Sequence, residues 1–539
     1  MIKYKCLTFL FSHARFCLGS VAVFFVAFAI RVNAEVPRDN PVMARYGEET
    51  PEWIQTLPWD RVVSVADMAG ESDGERYETA RREVEAMGGG VVYFPPGVYQ
   101  FSDSLVMGDG VILRGAAPEE DEDGLVWPTR FSFPRYEPVL EGEGTPVDTA
   151  FKHIRLAAPS TDSRLGVAHI AINHGHIHFG HGAEFATGTD RFVFGCELRN
   201  TAYIDRGVPD ANYDQKPWQR WTQRHRAAIH INAEENLFVA GNRVPESGEA
   251  NFEMPGYVVH RPLGIHSQAF RLGQHRSEAV ELEEIAFDYD NRPGIYANSQ
   301  PIGPPQSSPE PLGTPESHPH GFRTGMVIRD NYIFATGRTA ISFAGDGVLC
   351  LDNTIRFAEN VYRPTTTGRV TSDGSATNDN RAVRMHGYRW TVQGTDFEVY
   401  KNRSFNRGQW INDGEGLMHE RHTNSEIRDS RLIDNRGNAY LCMWRVPIRG
   451  LEIRGNVMDT DSSIGDIVVL GHHSHGGVTL QGIVIEDNVT RGRGISVTGG
   501  EADNDVLIRG NRHEGENGRI RNTAGARLEG NEGYEIVEE

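Results

Sequence analysis

Two short stretches of the chain hold side chains whose types and spacing suit proton transfer on a sugar. In Arg384-Met-His-Gly-Tyr388, Arg384, His386 and Tyr388 supply a cation, a titratable base and a phenol, and an extended backbone brings all three to one face. That set suits β-elimination, in which a cation neutralises a uronate carboxylate, the neighbouring C–H becomes acidic and a base removes the proton. In Trp410-Ile-Asn-Asp-Gly-Glu-Gly416, Asp413 and Glu415 stand two residues apart. An extended backbone separates them by roughly 6–7 Å, within the range carboxylate pairs need for glycoside hydrolysis. Glycines at 414 and 416 let backbone and sugar approach closely. The same stretch also reads as a solvated turn or a calcium loop, and calcium is the one cofactor the sequence suggests. His174, His176 and His178 share a face if extended, an arrangement read as stacked outer-strand histidines more readily than as a metal site.

The element that positions these groups is a repeat. The pattern apolar, x, apolar, x, x, Asn ends at Asn242, Asn331, Asn353, Asn402, Asn456, Asn488, Asn511 and Asn531, with Ser430 taking the Asn place once. Period-two alternation is a strand signal, and the closing Gly-Asn or Asp-Asn is a turn that tolerates left-handed backbone. Asparagine above asparagine can bond side chain to backbone along a ladder. A second strand precedes many of these, as in Ala228 to Ile231, Ala340 to Phe343, Ala382 to Met385 and Gly494 to Val497. Such spacing fits an all-β chain wound into the stacked coils of a parallel β-helix.

Aligning the coils and reading the residues just after the earlier strand of each collects Asn232 and Glu234, Asp346, His386 and Tyr388, Asn412, Asp413 and Glu415, Trp444 and Arg445, then His472 and His473. Coils roughly 4.8 Å apart turn these into one polar ridge. Asp346, Arg384, His386, Tyr388, Asp413 and Glu415 are the candidate catalytic residues. Glu234, Trp410, Trp444, Arg445, His472 and His473 are the candidates for holding substrate. Two long breaks in the repeat, Arg243 to Arg323 and Arg356 to Arg381, flank the ridge as walls or lids.

The start of the chain reads as a secretory leader. Lys3, Lys5 and Arg15 form a basic region, Leu18 to Ile30 is apolar, and Val32-Asn33-Ala34 is a small-x-small cleavage site. The expected organisation is a signal peptide over 1–34, a lead-in over 35–59 and one solenoid domain over 60–539, secreted or periplasmic and without a membrane segment once the leader is removed. The leader carries four basic and no acidic residues, so its loss takes the net charge from −20 to −24. Such a charge argues against a nucleic-acid partner. Cys196, Cys350 and Cys442 remain, an odd and widely spaced trio read as buried apolar residues rather than as a disulfide framework or a zinc site.

The segment Val63 to Asp67, Ser72-Asp73-Gly74, a helical stretch Glu75 to Met87 and Gly88-Gly-Gly-Val-Val-Tyr-Phe-Pro-Pro-Gly97 resembles the opening of pectate-lyase-superfamily proteins. The resemblance, with the repeats, extends over most of residues 60 to 531. It implies a right-handed β-helix closed by a short N-terminal capping helix, and an enzyme acting on polysaccharide. The Trp-Ile-Asp-His strand of pectate lyases is absent, and Arg445-Val-Pro-Ile-Arg449 is one residue shorter than their Arg-x-Pro-x-x-Arg loop. Of the polygalacturonase motifs only Gly180-His-Gly182 is present, so neither family's catalytic residues transfer. Three functions stay open: a lyase on a uronate polysaccharide, favoured by Arg384, His386 and Tyr388; a hydrolase using Asp346, Asp413 and Glu415; and a non-catalytic carbohydrate-binding or cell-surface solenoid.

Overall fold

The computed structural model describes residues 36–121, 124–134, 140–141, 145–146, 154–174, 176–181, 188–199, 203–206, 227–231, 233–244, 257–260, 263–267, 324–334, 339–358, 381–400, 409–413, 427–438, 440–444, 447–460, 465–473, 476–500 and 504–538. The expected leader lies outside them. Among the described residues no helix is long and apolar enough to cross a membrane.

Short β-branched stretches bounded by turns wind the chain into a right-handed parallel β-helix of three sheets. One coil shows the order: Arg191–Phe194 in the first sheet, Glu197–Arg199 in the second and Ala227–Ile231 in the third, before Glu235–Ala240 re-enters the first. The first and third sheets have 14 described strands and the second has 12. Inward residues of every coil merge into one core. Ile177, Ile229, Ile341 and Val383 contribute from the third sheet, and Val239, Ile328, Cys350 and Leu432 from the first. Cys196, Cys350 and Cys442 are free thiols and all buried, as their strand context predicted.

The asparagines form the expected ladder at the corner between the first and second sheets. Asn488 Oδ1 accepts from the backbone N–H and the side-chain amide of Asn456, both at 2.9 Å, while its own amide donates to the Ile453 carbonyl at 2.8 Å and to Asn511 Oδ1 at 2.9 Å. Two rungs differ from the sequence expectation. Asn402 lies outside the described residues, and Phe397, which opens its pattern, pairs with Ile355 in the second sheet. In that coil Thr391–Gln393 occupies the first sheet, which puts Thr395 at the rung, its N–H donating to Asn435 Oδ1 at 3.1 Å. Ser430 lies inside the strand Ile427–Ile433, and Asn435 is the rung there. Both stretches alternate with period two, and alternation does not say which sheet a strand joins.

The residue before each rung adopts left-handed backbone, and it is Asp in some coils and Gly in others: Asp352 has φ 52°, Gly394 65°, Asp434 53° and Gly455 67°. A Cβ at Gly394 would run into Asp352 Oδ1, and one at Gly455 into Asp434 Oδ1. Each aspartate side chain therefore covers a glycine in the coil above.

The helix Asp73–Ala86 opens with a capping box between Ser72 and Glu75 and packs Tyr77, Ala80 and Val84 onto the core. It covers the open end of the solenoid, as the resemblance implied. The lead-in does more than connect. Val42, Ile54, Leu57 and Trp59 cover an outer apolar face of the first sheet made by Val91, Tyr93, Ile112, Phe192, Phe194 and Phe238. The long break expected from 243 to 323 also resumes the solenoid partway: Leu263–Ser267 is a strand of the third sheet, and Tyr257–His260 pairs antiparallel with Tyr203–Arg206.

Candidate functional site

The third sheet carries most of the candidate residues. In its strand Arg381–Tyr388, Val383 and Met385 belong to the core, so alternation assigns 384, 386 and 388 to the outer face. The next coil contributes Gln409–Asp413, with Val383 opposite Trp410 and Arg384 opposite Ile411. The same register carried two residues further would set Asp413 beside His386. Asp413 is itself opposite Trp444, and Trp444 opposite Leu470. Arg384 and Ile411 are thus neighbours across coils, and His386 and Asp413 each stand two residues further along their own strands.

Not every candidate joins them. Trp410 is in register with Val383 and Leu441, both core residues, because a register irregularity falls between Arg381 and Val383. Asp346 is in register with Tyr388 but is only 4 % exposed. Its carboxylate takes a two-pronged contact from Arg389, whose Nε reaches Oδ1 at 2.7 Å and whose Nη2 reaches Oδ2. That pairing makes Asp346 a buried brace. Tyr388 is also buried, with the Arg428 guanidinium 4.9 Å from its ring centroid. Glu234 sits in the turn before Glu235–Ala240, its N–H donating to the Gly188 carbonyl at 2.9 Å. Glu415 and Arg445 lie outside the described residues.

His472 and His473 end the strand Ile467–His473, whose start is fixed by Asp466. That carboxylate accepts backbone N–H groups of Thr460 at 2.9 Å, Gly492 at 3.1 Å and Gly494 at 2.7 Å. Burial nevertheless pushes its pKa up to about 6, outweighing the three bonds that favour the anion. Beside the ridge, Tyr440, Cys442 and Val468 make a small apolar cluster with Leu470.

Sequence reasoning missed two features. A groove of about 310 Å³ on the second sheet is lined by Trp127, Arg130, Asn173, Glu197 and Arg199 among others, with the Glu197 carboxylate held by Arg199 at 2.6 and 3.1 Å. The lining comes from three separate stretches, 125–131, 171–173 and 197–199, and no spacing pattern connects them. The second feature is a register column, His178, His230 and His266, from three successive coils. Its signal was present as Ile-His repeated in three strands, at 177–178, 229–230 and 265–266. Among the described residues no three His, Cys, Asp or Glu side chains are gathered to hold a metal ion.

No protein-family model matches the sequence, and no curated protein matches it. Among solved structures the chain is similar to the catalytic unit of a GH87 α-1,3-glucanase from Streptomyces thermodiastaticus, at 12 % identity over 88 % of this chain and 68 % of that one, with a TM-score of 0.42. It is also similar to PfbA, a surface adhesin of Streptococcus pneumoniae, at 10 % identity over 88 % and 93 % of the two chains, with a TM-score of 0.40. A third similarity is to the A-module of a mannuronan C-5 epimerase from Azotobacter vinelandii, at 13 % identity over 88 % and 99 %, with a TM-score of 0.34. These likenesses assign no reaction to this chain.

Proposed function

We propose that the protein is a secreted enzyme that cleaves a uronate-containing polysaccharide by β-elimination on the outer face of its third sheet. What supports this reading is that Arg384 and His386 stand two residues apart in the strand Arg381–Tyr388, and that the strand Gln409–Asp413 pairs with it in the next coil. Arg384 neutralises the uronate carboxylate and so acidifies C5–H. His386 takes that proton, the electron pair forms C4=C5, the C4–O bond breaks, and the imidazolium returns the proton to the leaving oxygen. Asp413 orients the imidazole and stabilises its charged form. Tyr388 and Asp346, opposite each other and both buried, brace the ends of their two strands. Trp444, opposite Asp413 in the next coil, and His472 extend the binding face along the coils.

A net charge of −20 repels an anionic polymer at long range, so local cations must hold it. The column that contains Arg384 also carries Ser342 and three histidines, an uninterrupted polar strip with no acid in it.

The test is a panel of pectate, alginate, glycosaminoglycans, sulfated galactans and neutral glycans, with calcium or a chelator, reading unsaturated-uronyl absorbance together with new reducing ends. Both signals rising together support elimination and name the substrate. Reducing ends alone overturn it in favour of a hydrolase built on Asp413 and Glu415. Silence on both with binding retained overturns it in favour of an adhesive solenoid. Arg384→Ala and His386→Ala are each expected to lower kcat/KM by about 10²–10⁴ with unchanged melting, the usual range for a removed acid–base group.

A further inference from the structure

The groove on the second sheet is built around an alanine that separates two opposite charges. Arg130, Ala171, Glu197 and Arg243 stand in register across four successive coils, and Phe131, Ile172 and Leu198 beside them are core, so the column faces outward. Ala171 keeps Arg130 and Glu197 two coils apart, roughly 9.6 Å along the backbone. Glu197 is closed instead by Arg199, two residues along its own strand, whose Nε and Nη2 reach the two carboxylate oxygens at 2.6 and 3.1 Å. The Arg243 guanidinium lies 4.8 Å from the ring centroid of Tyr332, in the coil beyond. Arg130 is exposed and its Nε donates to the Trp127 carbonyl at 3.1 Å, while among the described residues its two Nη groups meet no acceptor.

The groove has a volume of about 310 Å³, within the range of small-molecule sites. One wall is the exposed Leu125 with Val126, from the hairpin strand Gly124–Val126. The Trp127 indole anchors that wall by donating to the Gly195 carbonyl at 2.7 Å. Glu119, Glu120 and Asp121 are on the other strand of the hairpin, and none of them lines the groove. With Glu197 neutralised by Arg199, the described lining keeps one uncompensated charge, that of Arg130, and the exposed Arg199 still presents N–H donors. A guanidinium fork suits a carboxylate, the remaining donors suit hydroxyls, and the apolar wall suits the C–H face of a pyranose ring.

We propose that this groove is a second carbohydrate site, which holds one carboxylated sugar of a uronate chain with Arg130 on the carboxylate and Leu125 against the ring. It lies on a different sheet from Arg384 and three coils nearer the capping helix, so it holds polymer without cleaving it. The inference rests on the polysaccharide part of the proposed function and is independent of the elimination step.

The test is calorimetric titration of the full-length Arg384→Ala/His386→Ala protein, which lacks the cleavage groups, with di- and trisaccharides of galacturonate, glucuronate and mannuronate, each alongside its methyl ester. One equivalent of at least one acid should bind, and its ester should bind at least about tenfold more weakly, as loss of a charge-assisted hydrogen bond requires. Added salt should weaken the acid and not the ester. Arg130→Ala in the same background should lower the affinity at least about tenfold. Leu125→Asp sets a like charge on the wall through an exposed side chain, and carries the same expectation if Arg130→Ala does not fold. No acid bound, acid and ester bound alike, or affinity retained in either variant overturns the proposal. A silent elimination panel with this titration positive removes the reaction and leaves the site, and the reverse result removes the site and leaves the reaction.

Discussion

Replacing Asn488 by alanine tests whether the asparagine ladder stabilises the solenoid or merely accompanies it. Asn488 is fully buried and makes four bonds through its side chain. After truncation, Asn456 keeps its amide bonds to the Leu432 and Arg454 carbonyls, and Asn511 Oδ1 still accepts from the residue-488 N–H at 3.0 Å. The Asn456 N–H, however, loses its bond to the Asn488 side chain in a place water does not reach, and the Ile453 carbonyl loses a donor. A buried unsatisfied group costs about 1–3 kcal/mol and each further net bond about 1 kcal/mol, so the variant should lose about 3–5 kcal/mol. Asn531 is the internal comparison. It ends the ladder partly exposed, accepts from Asn511 at 3.1 and 2.9 Å and donates to Ile508 at 2.8 Å. Water can replace those bonds, so Asn531→Ala should cost only about 1 kcal/mol. Urea denaturation followed by far-ultraviolet circular dichroism reads both. Equal and small losses, within about 0.5 kcal/mol of each other, would refute the reasoning, since 0.5 kcal/mol is the span of an ordinary surface substitution.

The rung interrupted at Thr395 should be improvable: among the described residues the Thr395 hydroxyl is buried without a hydrogen-bond partner, and Thr395→Asn should raise stability by about 1 kcal/mol, read as an upward shift of the urea midpoint. Arg389→Met leaves the Asp346 carboxylate buried and unpaired, at a cost of about 3–5 kcal/mol, and adding Asp346→Asn should recover much of it; a double-mutant cycle with no coupling would show that the pair is incidental. Asp466 makes stability depend on pH in an unusual direction. Its pKa is about 6 in the folded chain against 3.8 for the free side chain, so between these values the folded state binds more protons than the unfolded one, and stability falls as pH rises. The fall from this group, from pH 4 to 7, is about 2 kcal/mol, and Asp466→Asn should flatten that part of the unfolding profile. Gly394→Ala should cost about 1–2 kcal/mol, because alanine pays for left-handed backbone and meets Asp352, while Ala in place of the αR-compatible exposed Thr79 should change the midpoint little.

How legible the protein was depends on whether a feature is periodic. The solenoid, its capping helix and most rungs of the ladder could be read directly, because each coil repeats the same few constraints: two-residue alternation, an Asp or Gly that accepts left-handed backbone, and an Asn whose amide meets the next. The buried state of Cys196, Cys350 and Cys442 followed from the same alternation. The errors came where periodicity was ambiguous. Phe397 alternates as well as any residue of the first sheet yet belongs to the second, and Ser430 looked like a rung because its neighbours alternate on both sides.

The site was legible as a set of residue types, and its arrangement was not. Sequence alone could say that Arg384, His386 and Tyr388 share a face and that Asp413 lies in the following coil. Only the pairing of strands decided that Arg384 stands opposite Ile411 and Asp346 opposite Tyr388, and only the packing set Asp346 against Arg389. The histidine column is the sharpest case: 52 residues separate His178 from His230 and 36 separate His230 from His266, so no spacing rule joins them. Register in a parallel sheet is set by the length of every turn and insertion between two strands, and those lengths vary freely from coil to coil. Local sequence therefore fixes which way a residue faces, while the winding of the whole chain decides which residue stands beside it.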